Sequence, residues 1–145
     1  MNVLFYLAAI GDMWDKLIGF WTHGKFSHCE LLFSDGMCFS SSPRDGGVRF
    51  KHVNINPAHW VIIEVPMDPD KEANMRKWCG SQVGMPYDWI GIAALSVSDP
   101  TKEKYKWYCS QICIAALNKV GAINLFPEVS PNQFYNELTN PPLCQ

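Results

Sequence analysis

No CxxC pair occurs among the six cysteines of this chain, and no repeat, low-complexity tract or linker interrupts its 145 residues. Closed zinc sites favour short paired ligand spacings, so the scattered His23, His28, Cys109 and Cys113 predict neither a structural metal nor a cofactor. Charge is sparse as well. Charged residues make up 18% and the formal net charge is -2, which gives no bulk electrostatic case for nucleic acid. The opening MNVLFYLAAI is apolar but carries no basic leader, and GDMWDK follows at once. The expectation is therefore neither a signal peptide nor a transmembrane segment, and a cytoplasmic setting in which thiols stay free.

What is present is an ordinary folded composition, 48% hydrophobic, enough for one domain over 1–145 to bury a core without disulfides. NVLFYLAA reads as a short buried strand. DMWDKLIGFWTHG has helical spacing, with Asp12 as cap and Gly24 as stop. In FSHCELLFSDGMCFSSS, Asp35-Gly36 marks a two-residue hairpin turn. That turn predicts Phe33 opposite Cys38, Leu31 opposite Ser40 and Glu30 opposite Ser41. Alternation puts His28, Glu30 and Leu32 on one face and Cys29, Leu31 and Phe33 on the other.

Further strands are expected through Val48 and Phe50 and over HWVIIEVP, ended by Pro66. DPDKEANMRKWCGSQVG predicts a surface helix ending at Gly84. MPYDWIGIAALSV predicts a second, buried helix and SDPTKEKYK an exposed loop. YCSQICIAALNKVG reads as a helix stopped by Gly121, and SPNQFYNELTN as a terminal helix with Ser130 as cap and Pro131 in its first turn.

Cys109 stands where loop becomes helix, and a helix start offers free N–H groups and partial positive charge. Both stabilise a thiolate, and the Cys109 backbone N–H can also receive an oxyanion. Cys113, one turn further in, reads as a small core hydrophobe. A thiolate nucleophile needs a base and the base an orienting group. His28 and Glu30 share a strand face with α-carbons about 6.6 Å apart, within reach of a glutamate side chain.

The order SHCELLF with its hairpin, GMPYDWIGI, WYCSQIC and EVSPNQFYNEL resembles the circularly permuted NlpC-type papain-fold hydrolases. That group includes the YiiX-like proteins and the lecithin retinol acyltransferase branch. The resemblance runs from about Phe26 to Leu138. It implies an α+β, papain-like, circularly permuted domain with a central antiparallel sheet or partial barrel packed against helices. It also implies Cys109 as nucleophile and His28 as base. At the third catalytic position the chain departs from the pattern, because the next hairpin strand offers only Ser40, Ser41 and Ser42. Glu30 is the expected third member, with Glu64 and Ser41 as alternatives.

These readings point to a cysteine hydrolase acting on a peptide, amide or acyl ester, peptidase or amidase first and lipid acyl cleavage second. The rival is a non-catalytic binding or structural protein on the same fold, for instance a component of a viral or bacterial assembly. In that reading the aromatics around KYKWY serve a partner surface.

Overall fold

A computed structural model describes residues 1–9, 24–93 and 106–140. It is an α+β structure with one antiparallel sheet of five strands, β1 (Asn2–Leu7), β2 (Phe26–Leu32), β3 (Cys38–Ser42), β4 (Gly47–Lys51) and β5 (Trp60–Glu64), in spatial order β4-β3-β2-β1-β5. Four helices are described: α1 (Pro69–Gln82), α2 (Trp89–Ala93), α3 (Cys109–Lys119) and α4 (Pro131–Thr139). Of the helix expected over Asp12–Gly24 only Gly24, and of the loop expected over 98–106 only Lys106, falls within the described residues.

Side-chain alternation sorts the sheet into two faces. Val3, Phe5, Cys29, Leu31, Phe39 and Val48 form a buried core with Ile112, Cys113, Ala116 and Leu117 of α3, Met75 and Cys79 of α1 and Phe134 of α4. On the opposite face a smaller cluster gathers Leu4, Cys38 and Trp60 with half-buried Tyr6, Leu32, Val53 and Ile55. The segment after β4 therefore covers part of the face that the helices leave open.

Local signals placed several boundaries. Asp68 caps α1 by accepting the Lys71 N–H at 2.8 Å, with Pro69 in the first turn. Ser130 and Gln133 form a capping box on α4, with bonds of 3.2 and 2.8 Å. Asn132 of α4 ties down the start of β2. Its Oδ1 accepts the Phe26 N–H and its Nδ2 donates to the Phe26 carbonyl, both at 2.9 Å.

Two expectations are corrected. The β2–β3 register is one residue out, with Leu31 opposite Phe39 and Leu32 opposite Cys38. The Phe33 N–H donates to the Met37 carbonyl and the Gly36 N–H to the Phe33 carbonyl, both at 3.0 Å, with Gly36 at φ 82°. The loop thus holds three residues with glycine in the left-handed position, an alternative that Asp-Gly also suits. Ser41 consequently moves to the core face and no longer lies opposite Glu30. The second correction concerns MPYDWIGIAALSV. Within the described residues its helix is only Trp89–Ala93, with Trp89 50% and Ile90 64% exposed rather than buried. Pro86 and Tyr87 instead bridge to Gly47 and Trp107, and Asp88 accepts the Gly91 N–H at 2.8 Å as the helix opens.

Candidate functional site around Cys109 and His28

The chain enters α3 in extended form, with Tyr108 at φ -100° and ψ 168° and no side-chain cap. Two contacts hold that entry. Trp107 forms a parallel bridge with Tyr87, and its carbonyl accepts both the Asp88 N–H at 3.1 Å and the Ser41 hydroxyl at 2.6 Å. The Tyr108 carbonyl takes the Ile112 N–H at 3.2 Å, which starts the helical ladder at Cys109. One residue on, the Ser110 hydroxyl donates to the Val129 carbonyl at 2.6 Å.

His28 lies on β2 opposite Tyr6, beside an irregularity where Leu7 pairs with Phe26 and Ser27 is left over. The His28 imidazole and the Cys109 thiol are close enough for each to displace the other's pKa. His28 Nε2 meets Glu30 Oε1 at 3.0 Å. The same-face placement of His28 and Glu30 expected from alternation holds.

Glu30 is 2% exposed and does not stand alone. Arg49, which the sequence reading missed, donates Nη1 to Glu30 Oε2 at 2.8 Å and Nη2 to Oε1 at 2.5 Å. Its Nε bonds Asp45 Oδ2 at 2.8 Å, and Lys51 Nζ bonds Asp45 Oδ1 at 2.8 Å. Arg49 pairs with Ser40 across β3–β4, two strands from Glu30 and on the same sheet face.

Charge responses follow from these contacts. Burial opposes protonation of His28, yet Cys109 and then Glu30 outweigh it and hold its pKa up at about 10. Cys109 is held well below the ordinary thiol value. The neighbouring Cys29 thiol is the largest cause; burial opposes, and His28 adds to the lowering. Cys29 in turn is pushed well up, first by burial and then by Cys109 and Cys113. Burial works against ionised Glu30, but His28 and Arg49 bring it below its usual value. The thiolate at Cys109 thus has a supporter on the neighbouring strand that helix-start reasoning did not supply.

Cys113 behaves as expected for a core thiol, with Sγ 3.9 Å from the carbonyls of both Cys29 and Phe39. Cys29, Cys38, Cys79, Cys109 and Cys113 are all buried free cysteines. The two alternatives to Glu30 are out of place. Ser41 spends its hydroxyl on the Trp107 carbonyl. Glu64 pairs with Asn2, whereas His28 pairs with Tyr6; four residues of strand separate them, about 13 Å. His23 lies outside the described residues, and among these no group of three or more His, Cys, Asp or Glu side chains gathers as a metal-ligand set.

Cys109 is 1% exposed. Around it stand Cys29, Tyr87 and Tyr108, whose phenols are pushed up first by burial and then by Cys109 among other neighbours. Among the described residues, the buried Tyr108 hydroxyl and Gln111 Oε1 have no hydrogen-bond partner. A cleft of about 350 Å³ opens on the other sheet face, lined by Tyr6, His28, Glu30, Arg49, His59 and Trp60 among others. It reaches the Glu30 side of the imidazole, and Cys109 does not line it. No described helix is long and apolar enough to cross a membrane. No protein-family model matches the chain, and no curated protein matches it as a relative.

Proposed function

We propose that this protein is a cysteine hydrolase that cleaves an amide or ester bond, on a circularly permuted papain-like fold. The observation that carries the reading is the His28–Glu30 contact at 3.0 Å beside a Cys109 thiol whose pKa is lowered while that of the imidazole is raised, favouring thiolate and imidazolium. Perturbed pairs of this kind mark nucleophile and acid–base roles. The permuted order is supported by β2, with its histidine, preceding α3, with its cysteine, and by α3 packing on β2 and β3.

In this mechanism Cys109 Sγ attacks the substrate carbonyl carbon, and the displaced π electrons collect on oxygen. The Cys109 N–H receives that oxyanion, and the Tyr108 hydroxyl is a second donor with nothing else to bond among the described residues. His28 gives its proton to the leaving amine or alcohol as the carbon–heteroatom bond breaks. It then takes a proton from water as water attacks the thioester. A peptide or amide is the first substrate class and a fatty acyl ester the second.

The burial of Cys109 favours the other reading, a binding or structural protein that keeps the fold without turnover. Iodoacetamide at pH 6, with adducts located by mass spectrometry, separates the two. The hydrolase reading expects selective carbamidomethylation of Cys109, because an ordinary thiol at that pH is only about 0.3% thiolate. Uniform slow labelling of several cysteines would overturn it.

A further inference from the structure

Arg49 is remote in sequence from every group in the proposed mechanism, yet it holds both oxygens of the carboxylate that meets the base. A glutamate with 2% exposure and a single partner is a poor orienting group. Its side chain has several rotamers, and burial drives it toward the neutral acid. The guanidinium removes both problems, since a bidentate fork fixes the carboxylate plane and its charge keeps the carboxylate ionised. Arg49 is itself held from behind by Asp45, and Asp45 by Lys51, which is 53% exposed. The groups alternate in sign from Cys109 through His28, Glu30, Arg49 and Asp45 to Lys51, so no buried charge is left uncompensated.

We infer that Arg49, braced by Asp45, is a positioning residue for His28: it fixes the Glu30 carboxylate so that Oε1 meets Nε2. The inference rests on the reading of Cys109 and His28 as the reactive pair. Other ionisable groups near these residues are Tyr6, Arg44, His52 and His59, which line the same cleft, Cys38 on β3, which feels Glu30 and Arg49, and Cys29, Tyr87 and Tyr108 around Cys109.

The test follows the rate of Cys109 alkylation by iodoacetamide against pH in Arg49→Gln, Arg49→Lys and Asp45→Asn, with adducts mapped by mass spectrometry and folding checked by circular dichroism. Without Arg49 the Glu30 carboxyl titrates higher, His28 loses its anion sooner as pH falls, and the Cys109 thiolate loses its imidazolium. The acid limb of Cys109 reactivity should therefore move up by about one unit in Arg49→Gln. Arg49→Lys restores charge without the fork and should recover part of the shift. Asp45→Asn should give a smaller shift of the same sign. In a Glu30→Gln background Arg49→Gln should add no further shift, because its effect passes through Glu30. A folded Arg49→Gln protein with the wild-type limb overturns the inference. If that variant does not fold, unchanged limbs in both Arg49→Lys and Asp45→Asn overturn it. Failure of the hydrolase reading shows separately, in the wild type alone, as absence of acid-pH labelling at Cys109, and it takes the role of Arg49 with it.

Discussion

The Ser41 hydroxyl donates to the Trp107 carbonyl at 2.6 Å, a bond between β3 and the chain two residues before Cys109. It joins segments 66 residues apart and fixes where α3 begins relative to the sheet. Because the Trp107 carbonyl also accepts the Asp88 N–H, Ser41→Ala leaves no orphaned acceptor. It should cost about 1 kcal/mol, read as a lower Tm, and leave the pH dependence of Cys109 alkylation unchanged. A displaced pH profile would return Ser41 to the base-orienting position.

Glu30→Gln should be a costly variant. It leaves Arg49, only 14% exposed, without its main partner, and breaking a buried pair from one side costs about 3 kcal/mol or more. Chemical denaturation should show this loss together with weaker Cys109 reactivity at acid pH. Glu64 is exposed at the end of β5, so Glu64→Gln should stay within about 0.5 kcal/mol and leave reactivity alone.

Cys109→Ala and Cys113→Ala should separate chemistry from packing. The Cys113 thiol has 0% exposure in the core, and its removal should cost about 1 kcal/mol while keeping reactivity at Cys109. Cys109→Ala should remove all turnover of p-nitrophenyl esters and fluorogenic peptides. Turnover retained in Cys109→Ala and lost in Cys113→Ala would reverse the assignment.

Tyr108→Phe should raise stability and lower activity together. The hydroxyl is buried without a partner among the described residues, so deleting it relieves a desolvation cost of about 1 kcal/mol. As an oxyanion donor its loss should lower kcat about a hundredfold. A faster or equal kcat would remove Tyr108 from the proposed site.

Stability against pH should carry the imprint of the reactive pair. His28 titrates near 10 folded and 6.5 unperturbed, so its contribution is complete below 6.5 and is lost as pH rises toward 10. Cys109 is depressed below its ordinary 9.0, so its contribution is complete above 9.0 and is lost as pH falls through the folded value. Between 6.5 and 9.0 the two slopes oppose one another. Tm should be flat there and fall on both sides, with a further fall below 4.5 as Glu30 takes a proton.

Sequence alone determined what short-range geometry controls. The His28–Glu30 pair follows from strand alternation, which needs no knowledge of any partner strand. The caps at Asp68 and Ser130 follow from side chains bonding N–H groups within three residues. The start of α3 at Cys109 also followed from local pattern. The tertiary structure decided the rest. Asp35-Gly36 permits turns of two or three residues, and cross-strand packing selected the longer, which turned Ser41 to the core. Arg49 reaches Glu30 because β4 lies two strands away in the sheet, and Cys29 supports the Cys109 thiolate because α3 packs on the face opposite His28's neighbour Glu30. The burial of Cys109 is likewise a property of everything packed around it. Such contacts depend on strand order and helix docking, and residue spacing along the chain carries no record of either.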